Sequence, residues 1–412
     1  MLRLLCAALL LLSSLSATGN GVDPARQTIT ISIGNEPPTL NSAQVADGTS
    51  NFILGHIMDG LTRFGRRERV EPALAERWEA DGNQYRFHLR EARWSDGKPV
   101  TAHDFVFAWR LAVSPAAASP FSTSFYGIQN AREILAGEKP VESIGVDAAD
   151  DRTLVVTLTH PIVYFPQIVT GTNFLPIRQD FYQAQGERYA AEPEHLLTNG
   201  AFRLKSWVHG ATLTLVKNLD YWNADEVSLQ EIRVGYITPD TSTVLNLFRD
   251  GQVAFAALDT VTVKTAAESG LRVRSFAPGS TQLMIINTSP GRPTANVKLR
   301  RALASVLDKH RIVNSVLALP GNEVTHSVYP AWNPVVAEGF DETNPLARSS
   351  YDPSKGPGLM AHVKEELGTV PTLTLLTVTN PTLMKLSEYM QGVFKRELNI
   401  DIKIDSQNMK QD

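Results

Sequence analysis

Cysteine is almost missing from this chain: Cys6 is the single example in 412 residues, and it lies inside an apolar run close to the N-terminus. Arg3 precedes the run "LLCAALLLLSSLS", and "ATGNG" follows it. A short charged region, an apolar core and small residues, in that order, are the pattern of a secretory leader. The run is too short to span a bilayer. Export is therefore expected, with residues 1–21 as signal peptide and cleavage between Ser16 and Gly21. The small residues that usually precede a lipid-modified cysteine are not found before Cys6, so no lipid anchor is expected. Removal of the leader leaves a mature chain without cysteine. Disulfides, thiolate catalysis and cysteine-ligated metals are then excluded.

Positive charge is not in excess either. Lys and Arg total 39 against 43 Asp and Glu, a net charge of −4. A nucleic-acid partner would want a basic face, so none is expected. The sequence holds no G-x-S-x-G elbow, no phosphate-binding G-x-x-x-x-G-K-[ST] loop and no G-x-G-x-x-G after a strand. Nine histidines are scattered without H-x-H or H-E-x-x-H spacing, which favours structural or surface roles over metal binding. No cofactor, metal site or enzymatic activity is expected. A Ser/His/Asp triad assembled from distant loops is nominated by nothing in the sequence.

What the chain has is length, ordinary hydrophobicity and alternating elements. With 412 residues, 43% hydrophobic and 20% charged, it can build two or three lobes with real cores. "TITISIG", "QYRFHLR", "TLVVTLTH", "SLQEIRVGYI", "TLTLLTV" and "IDIKID" read as strands. "NGAFRLKSWVHGATLTLVKN" reads as a strand pair turning near His209-Gly210. Helices are expected over Phe52–Leu61, Thr241–Arg249 and Thr382–Leu398, and "NVKLRRALASVLDKHRIVNSVL" carries the longest helical pattern. Strands and helices alternate without a repeat, which gives an α/β class with mixed sheets.

One stretch is informative in detail. In "WSDGKPVTAHDFVFAWR", Asp96-Gly97 supplies a tight turn, since glycine tolerates positive φ and aspartate bonds its own backbone two residues on. Thr101 with Asp104 three residues later forms a capping box, and Phe105, Val106 and Trp109 make an apolar stripe behind it. Aromatic residues also sit in loop-forming contexts: "ASPFSTSFYG", "YFPQIVTGTNF" and "YWN". They could line a ligand cleft or fill a core, and the residues alone leave both open.

Five segments in order resemble one family. "EPPTLNSA", "EPALAERWEADGNQYRFHLREARWSDGKPVTAHDFVFAWR", "LLTNGAFRLKSW" with "VKNLDYWN", "FRDGQVAFA" and "NVKLRRALASVLDKHRIV" are similar to the periplasmic oligopeptide-binding proteins of ABC importers, solute-binding protein family 5. The resemblance spans nearly the whole mature chain. It implies a two-lobed clamshell of the periplasmic-binding-protein type with an additional small lobe, closing on its ligand by hinge motion. Residues 28–50 and 166–265 would form the first ligand lobe, 51–165 the inserted lobe and 266–412 an incomplete second ligand lobe. A peptide would be held by strand-like main-chain hydrogen bonds, with its side chains in roomy pockets. Ala46, Asp47 and Gly48 fall where the family offers main-chain partners to the ligand, and Phe121 where it places an aromatic ring. Ala257 and Leu258 match a further main-chain contact strand. The implied partners are a peptide ligand and an inner-membrane permease and ATPase complex, in the periplasm, with the receptor a monomer.

The chain also departs from that pattern. Leu283 and Ile285 fall where peptide binders carry an aromatic residue and a carboxylate, and Leu317 where one carries a lysine for the ligand's C-terminus. An apolar group cannot replace a buried charge partner, a loss on the order of several kcal/mol. A non-peptide ligand in the same fold, such as a nickel chelate, haem, an opine or an oligosaccharide, is the alternative. The chain stops at "IDSQNMKQD", before the segment that completes the second lobe in relatives, so truncation with weakened folding or binding is a third expectation. An exported hydrolase with an unrecognised triad is the reading from another class.

Overall fold

The structure is a computed structural model describing residues 21–65, 69–276, 281–325 and 351–407. The leader, Cys6 and nearly all of the expected cleavage window lie outside the described residues. The chain divides into two compact units, Met1–Ala256 and Ala257–Asp412.

The first unit carries two larger sheets. β1 (Val22–Asp23), β2 (Thr28–Ile33), β9 (Phe202–Val208), β10 (Thr212–Lys217) and β11 (Glu231–Ile237) form a five-stranded sheet in the order β1-β2-β11-β10-β9. β11 runs parallel to β2 and the other neighbours are antiparallel, so the sheet is mixed as expected. β9 and β10 meet at His209-Gly210, where Gly210 adopts φ +69°, the left-handed geometry that glycine allows without a Cβ clash. β5 (Ala75–Asp81), β6 (Gln84–Leu89), β7 (Val146–Asp150) and β8 (Thr153–Thr157) form an antiparallel sheet ordered β5-β6-β8-β7. Its alternation is that of a half-buried strand: Tyr85, Phe87 and Leu89 of β6 point inward. β3 (Thr62–Phe64) and β4 (Val70–Pro72) make a short separate pair.

Helix α1 (Gly48–Ile57) precedes β3, and α2 (Ala102–Val113) packs against β7 and β8. The turn before α2 forms as its sequence dictates: Lys98 N–H donates to Asp96 Oδ1 at 3.2 Å, and Gly97 has φ +86°. The Asp104 carboxylate accepts from Thr101 N–H at 2.9 Å and from Trp94 Nε1 at 3.0 Å, fixing both ends of the turn to the first helical residues. Phe105 and Trp109 are fully buried, and Trp109 meets Phe174 and Phe125 edge-on. Each such ring stabilises by about 2–3 kcal/mol relative to exposure.

The second unit is thinner. β12 (Leu373–Val378) and β13 (Ile402–Gln407) pair in parallel, joined through α6 (Pro381–Leu398). With α4 (Val297–Ser305) and α5 (Lys355–Leu367) they enclose a core that includes Leu299, Val363, Val393 and Phe394. The chain leaves α3 (Thr241–Arg249) in the first unit through Gly251 at φ +69°, the expected helix stop.

Two helices differ from expectation. α1 spans Gly48–Ile57 rather than Phe52–Leu61, because the Asp47 side chain accepts from Ser50 N–H at 2.8 Å and so caps a weak first turn. The long pattern from Asn296 breaks after Ser305. Asp352 N–H takes the Ser305 carbonyl at 2.8 Å, and Asp308 starts a new turn by accepting from Arg311 N–H at 3.0 Å. A π-helical turn, Ile312–Leu317, follows.

Candidate functional site

The segment 34–47 joins β2 to α1 without regular structure, and it is anchored at both ends. Leu40, Ala43 and Val45 are buried, and Asn41 folds the chain back by accepting from Ala43 N–H through its side chain and from Gln44 and Val45 N–H through its carbonyl. At the first end, Glu36 accepts from Trp207 Nε1 at 2.9 Å, from Gly210 N–H at 2.7 Å, and meets His209 Nδ1 at 2.6 Å. Burial alone would raise the Glu36 carboxyl, but the His209, Gly210 and Trp207 donors outweigh it and hold it below the usual range. At the other end Asp47 is spent on the α1 cap.

The result is a presented main chain. Ala46 and Gly48 are exposed, a Cβ on Gly48 would meet nothing within 4 Å, and the Gly48 and Thr49 N–H groups have no intrahelical acceptor. A firmly anchored stretch of accessible backbone, with side chains too small to interfere, can hydrogen-bond an extended ligand irrespective of its side chains.

Just past the end of α1 lies a polar cluster that motif reading alone misses. Asp59, in the otherwise apolar "ILGHIMDGL", is buried and accepts from Tyr221 Oη at 3.0 Å and Trp222 Nε1 at 2.8 Å. Asn199 accepts from Asp59 N–H and donates to its carbonyl, while Arg90 stacks 3.6 Å from the Trp222 ring centre. Burial pushes the Asp59 carboxyl up, against the pull of the Trp222 and Tyr221 donors and of Arg63 and Arg90. A carboxylate inside an apolar run is the signal that marks such a group. The cluster is closed by protein partners, so it fastens "LLTNGAF" and "YWN" to the end of α1. Ser95 Oγ accepting from Thr198 N–H at 3.1 Å, and Gly200 N–H donating to Ile57 O at 2.9 Å, complete the seam.

The loop aromatics divide between core and surface. Phe125, Phe165, Phe174 and Tyr221 are buried in the first unit, whereas Phe121 and Tyr164 are exposed. Phe121 stands at the start of the short 3-10 turn Ser122–Phe125, and among the described residues no hydrogen bond or ring contact joins it to Ala46–Gly48. Ala257 and Leu258 lie in an irregular segment at the start of the second unit, not in a strand. Leu283 and Ile285, also irregular, are 57% and 89% exposed. Leu317 is buried at the end of the π-helical turn, within the second unit.

The class of this protein follows from comparison. A family model for bacterial extracellular solute-binding proteins, family 5 Middle, matches residues 69–412, and the chain belongs to that family. It is 29% identical over 395 residues to the periplasmic oligopeptide-binding protein OppA of Salmonella typhimurium, covering 93% of this chain and 71% of the relative. It is 35% identical over 298 residues to the probable deoxycholate-binding periplasmic protein YgiS of Escherichia coli, covering 69% of this chain and 54% of the relative. Among solved structures, Haemophilus influenzae OppA in complex with RPPGFSPFR superposes with a TM-score of 0.77 at 27% identity, over 94% of this chain and 77% of that one. The substrate-binding domain of an oligopeptide ABC transporter from Bacillus anthracis gives 0.78 at 30% identity, over 94% and 76%. The fold is thus the two-lobed α/β fold of the oligopeptide-binding proteins. Among the described residues no helix is long and apolar enough to cross a membrane.

Proposed function

We propose that this protein is an extracytoplasmic receptor of an ABC importer, which captures oligopeptides through main-chain hydrogen bonds and delivers them to an inner-membrane permease and ATPase complex. The observation that carries this reading is the match over 94% of the chain to an OppA in complex with a peptide. The exposed, anchored backbone at Ala46–Gly48 supports it. In this reading Ala46, Asp47, Gly48, Ala257 and Leu258 contribute main chain, Phe121 an aromatic face and Leu283 an apolar contact. Residues 28–50 and 166–265 make the first ligand lobe, 51–165 an inserted lobe and 266–412 the second. The receptor works as a monomer in the periplasm, after loss of its leader, and performs no catalysis. Titration calorimetry of the purified protein against pooled tri- to pentapeptides should give saturable heat at one ligand per chain. No heat from any pool at millimolar peptide would sink the reading.

A second reading has its own support. The 35% identity to a probable deoxycholate-binding protein, together with the outward apolar side chains of Leu283 and Ile285, favours an amphipathic carboxylic acid of the bile-acid kind. Titration with deoxycholate in the same calorimeter separates the two, since only this reading expects heat from the acid and none from the peptide pool.

A further inference from the structure

We propose that Glu36, His209 and Glu192 form a pH-operated clasp, with His209 as the moving charge, that sets how firmly the start of the 34–47 segment is held. The geometry carries it. Both ring nitrogens of His209 face carboxylates: Nδ1 lies 2.6 Å from Glu36 Oε1 and Nε2 lies 3.4 Å from Glu192 Oε1. An ionised carboxylate only accepts hydrogen bonds, and a neutral imidazole donates through one nitrogen. Only the imidazolium can serve both partners. The protonated ring therefore ties three parts of the first unit together: the 34–47 segment through Glu36, the turn ahead of Pro193–His195 through Glu192, and the β9–β10 hairpin on which His209 sits.

Among the described residues, the charged groups that act on His209 are those two glutamates, and from its own hairpin it meets the Trp207 ring at 4.5 Å. No cation opposes the imidazolium in that set. Hydrogen bonding to Glu36 raises the His209 pKa, with the charges of Glu36 and Glu192 adding to it, while its partial burial works the other way. The sign follows. A histidine whose folded pKa is raised stabilises fully below its unfolded value, and that contribution is lost as pH rises through the folded value. Glu36, held low, loses its part only when pH falls below the usual carboxylate range. The clasp is closed between the titration of Glu36 and that of His209, and it loosens as pH rises through the raised His209 value. A neutral ring keeps one donor, so the change is a loosening and not a release. Glu36 joins residues 34–39, where Gly34, Asn35 and Pro38 are exposed and Pro37 alone is buried, to the sheet, while Leu40, Ala43 and Val45 hold the other half by burial. The first half is where the effect falls.

The test needs no ligand. Hydrogen-exchange protection factors, which remove the intrinsic pH dependence of exchange, are measured by NMR on the full chain for the Trp207 indole N–H and the Gly210 amide, the two N–H groups that donate to Glu36. The His209 ring is titrated in the same samples. Protection should fall roughly two- to five-fold along the His209 titration curve, the population shift expected of a half-exposed ion pair. His209→Gln, and separately Glu192→Gln, should flatten that dependence with thermal unfolding little changed. Protection that stays level through the histidine titration, or that keeps its pH dependence in His209→Gln, overturns the clasp. If the loop meets ligand as proposed above, peptide affinity should weaken over the same pH interval. That last expectation rests on the proposed function and can fail while the exchange result stands.

Discussion

The two units spend their apolar residues differently. In the first, among the described residues, both sheets share one continuous core of fifty buried apolar residues, running from Ile31 through Phe105 and Trp109 to Val234. In the second, eleven buried residues around α4, α5 and α6 form the core among the described residues. Phe276, Leu283, Ile285 and Leu376 stand outside at 57% exposure or more, as Val163, Tyr164 and Leu219 do in the first unit, so the difference lies in the size of the cores. Parallel strands are usually covered on both faces, yet Leu376 on β12 is 63% exposed. Redundant packing lets the first unit keep a buried carboxylate, Asp59, and a loop that presents bare backbone. The second unit has little packing to lose.

The sharpest way to break this comparison is to remove one ring from each core. Phe394→Ala should cost about 3–5 kcal/mol, as large-to-small changes at well-packed sites do. In so small a core that loss should open the second unit alone. Limited thermolysis should then leave a resistant fragment near the size of residues 21–256, whereas Phe105→Ala, with a similar cost, should leave none. Equal fragmentation of the two variants would mean that the units do not differ in the way their cores indicate.

A smaller effect sharpens the picture inside the first unit. Gly200 lies against the chain leaving α1, so an added Cβ would stand 2.5 Å from the Ile57 carbonyl carbon and 2.6 Å from Met58 N. Both neighbours are backbone and cannot turn aside. Gly200→Ala should cost roughly 3 kcal/mol, the upper end for overpacking, seen as a lower urea midpoint. A fully stable Gly200→Ala protein would mean that the seam between "LLTNGAF" and α1 gives way easily.

Elements whose pattern is local were legible in the sequence. β2, β6, the β9–β10 hairpin, α2 with its capping carboxylate, and the Gly251 stop of α3 all follow from periodicity and turn chemistry within a few residues. α1 starts at Gly48 instead of Phe52 because the Asp47 side chain caps it. The break after Ser305 depends on Asp352, distant in sequence, taking the carbonyl that would have continued the helix. Of the candidate site, Ala46–Gly48 could be singled out only through family resemblance, because exposed backbone has no side-chain signature. The partnership of Glu36 with His209 spans 173 positions and has no spacing to read.

The smallest effect concerns charge on the surface of the better-packed unit. Asp180 accepts from Lys98 Nζ at 3.0 Å, from Arg178 Nε at 2.6 Å and from Phe181 N–H at 2.8 Å, and these donors, Lys98 foremost, lower its pKa to about 2. Arg178 also reaches Asp96 in the turn before α2 at 2.6 Å, so the network pins that turn to the 179–185 helix. A carboxylate with a depressed folded pKa stabilises above its unfolded value, near 3.8, and loses that contribution as pH falls through about 2. Its side chain is 56% exposed, so screening reduces the worth of the pairings to roughly 0.5 kcal/mol. Asp180→Asn should therefore lower stability by that small amount at neutral pH and flatten the acid limb of the stability curve between those two pKa values. It should also weaken the dependence on salt. If the acid limb keeps its slope, the turn before α2 is held by its capping box and buried rings alone, and the difference between the units is one of apolar packing without a contribution from surface charge.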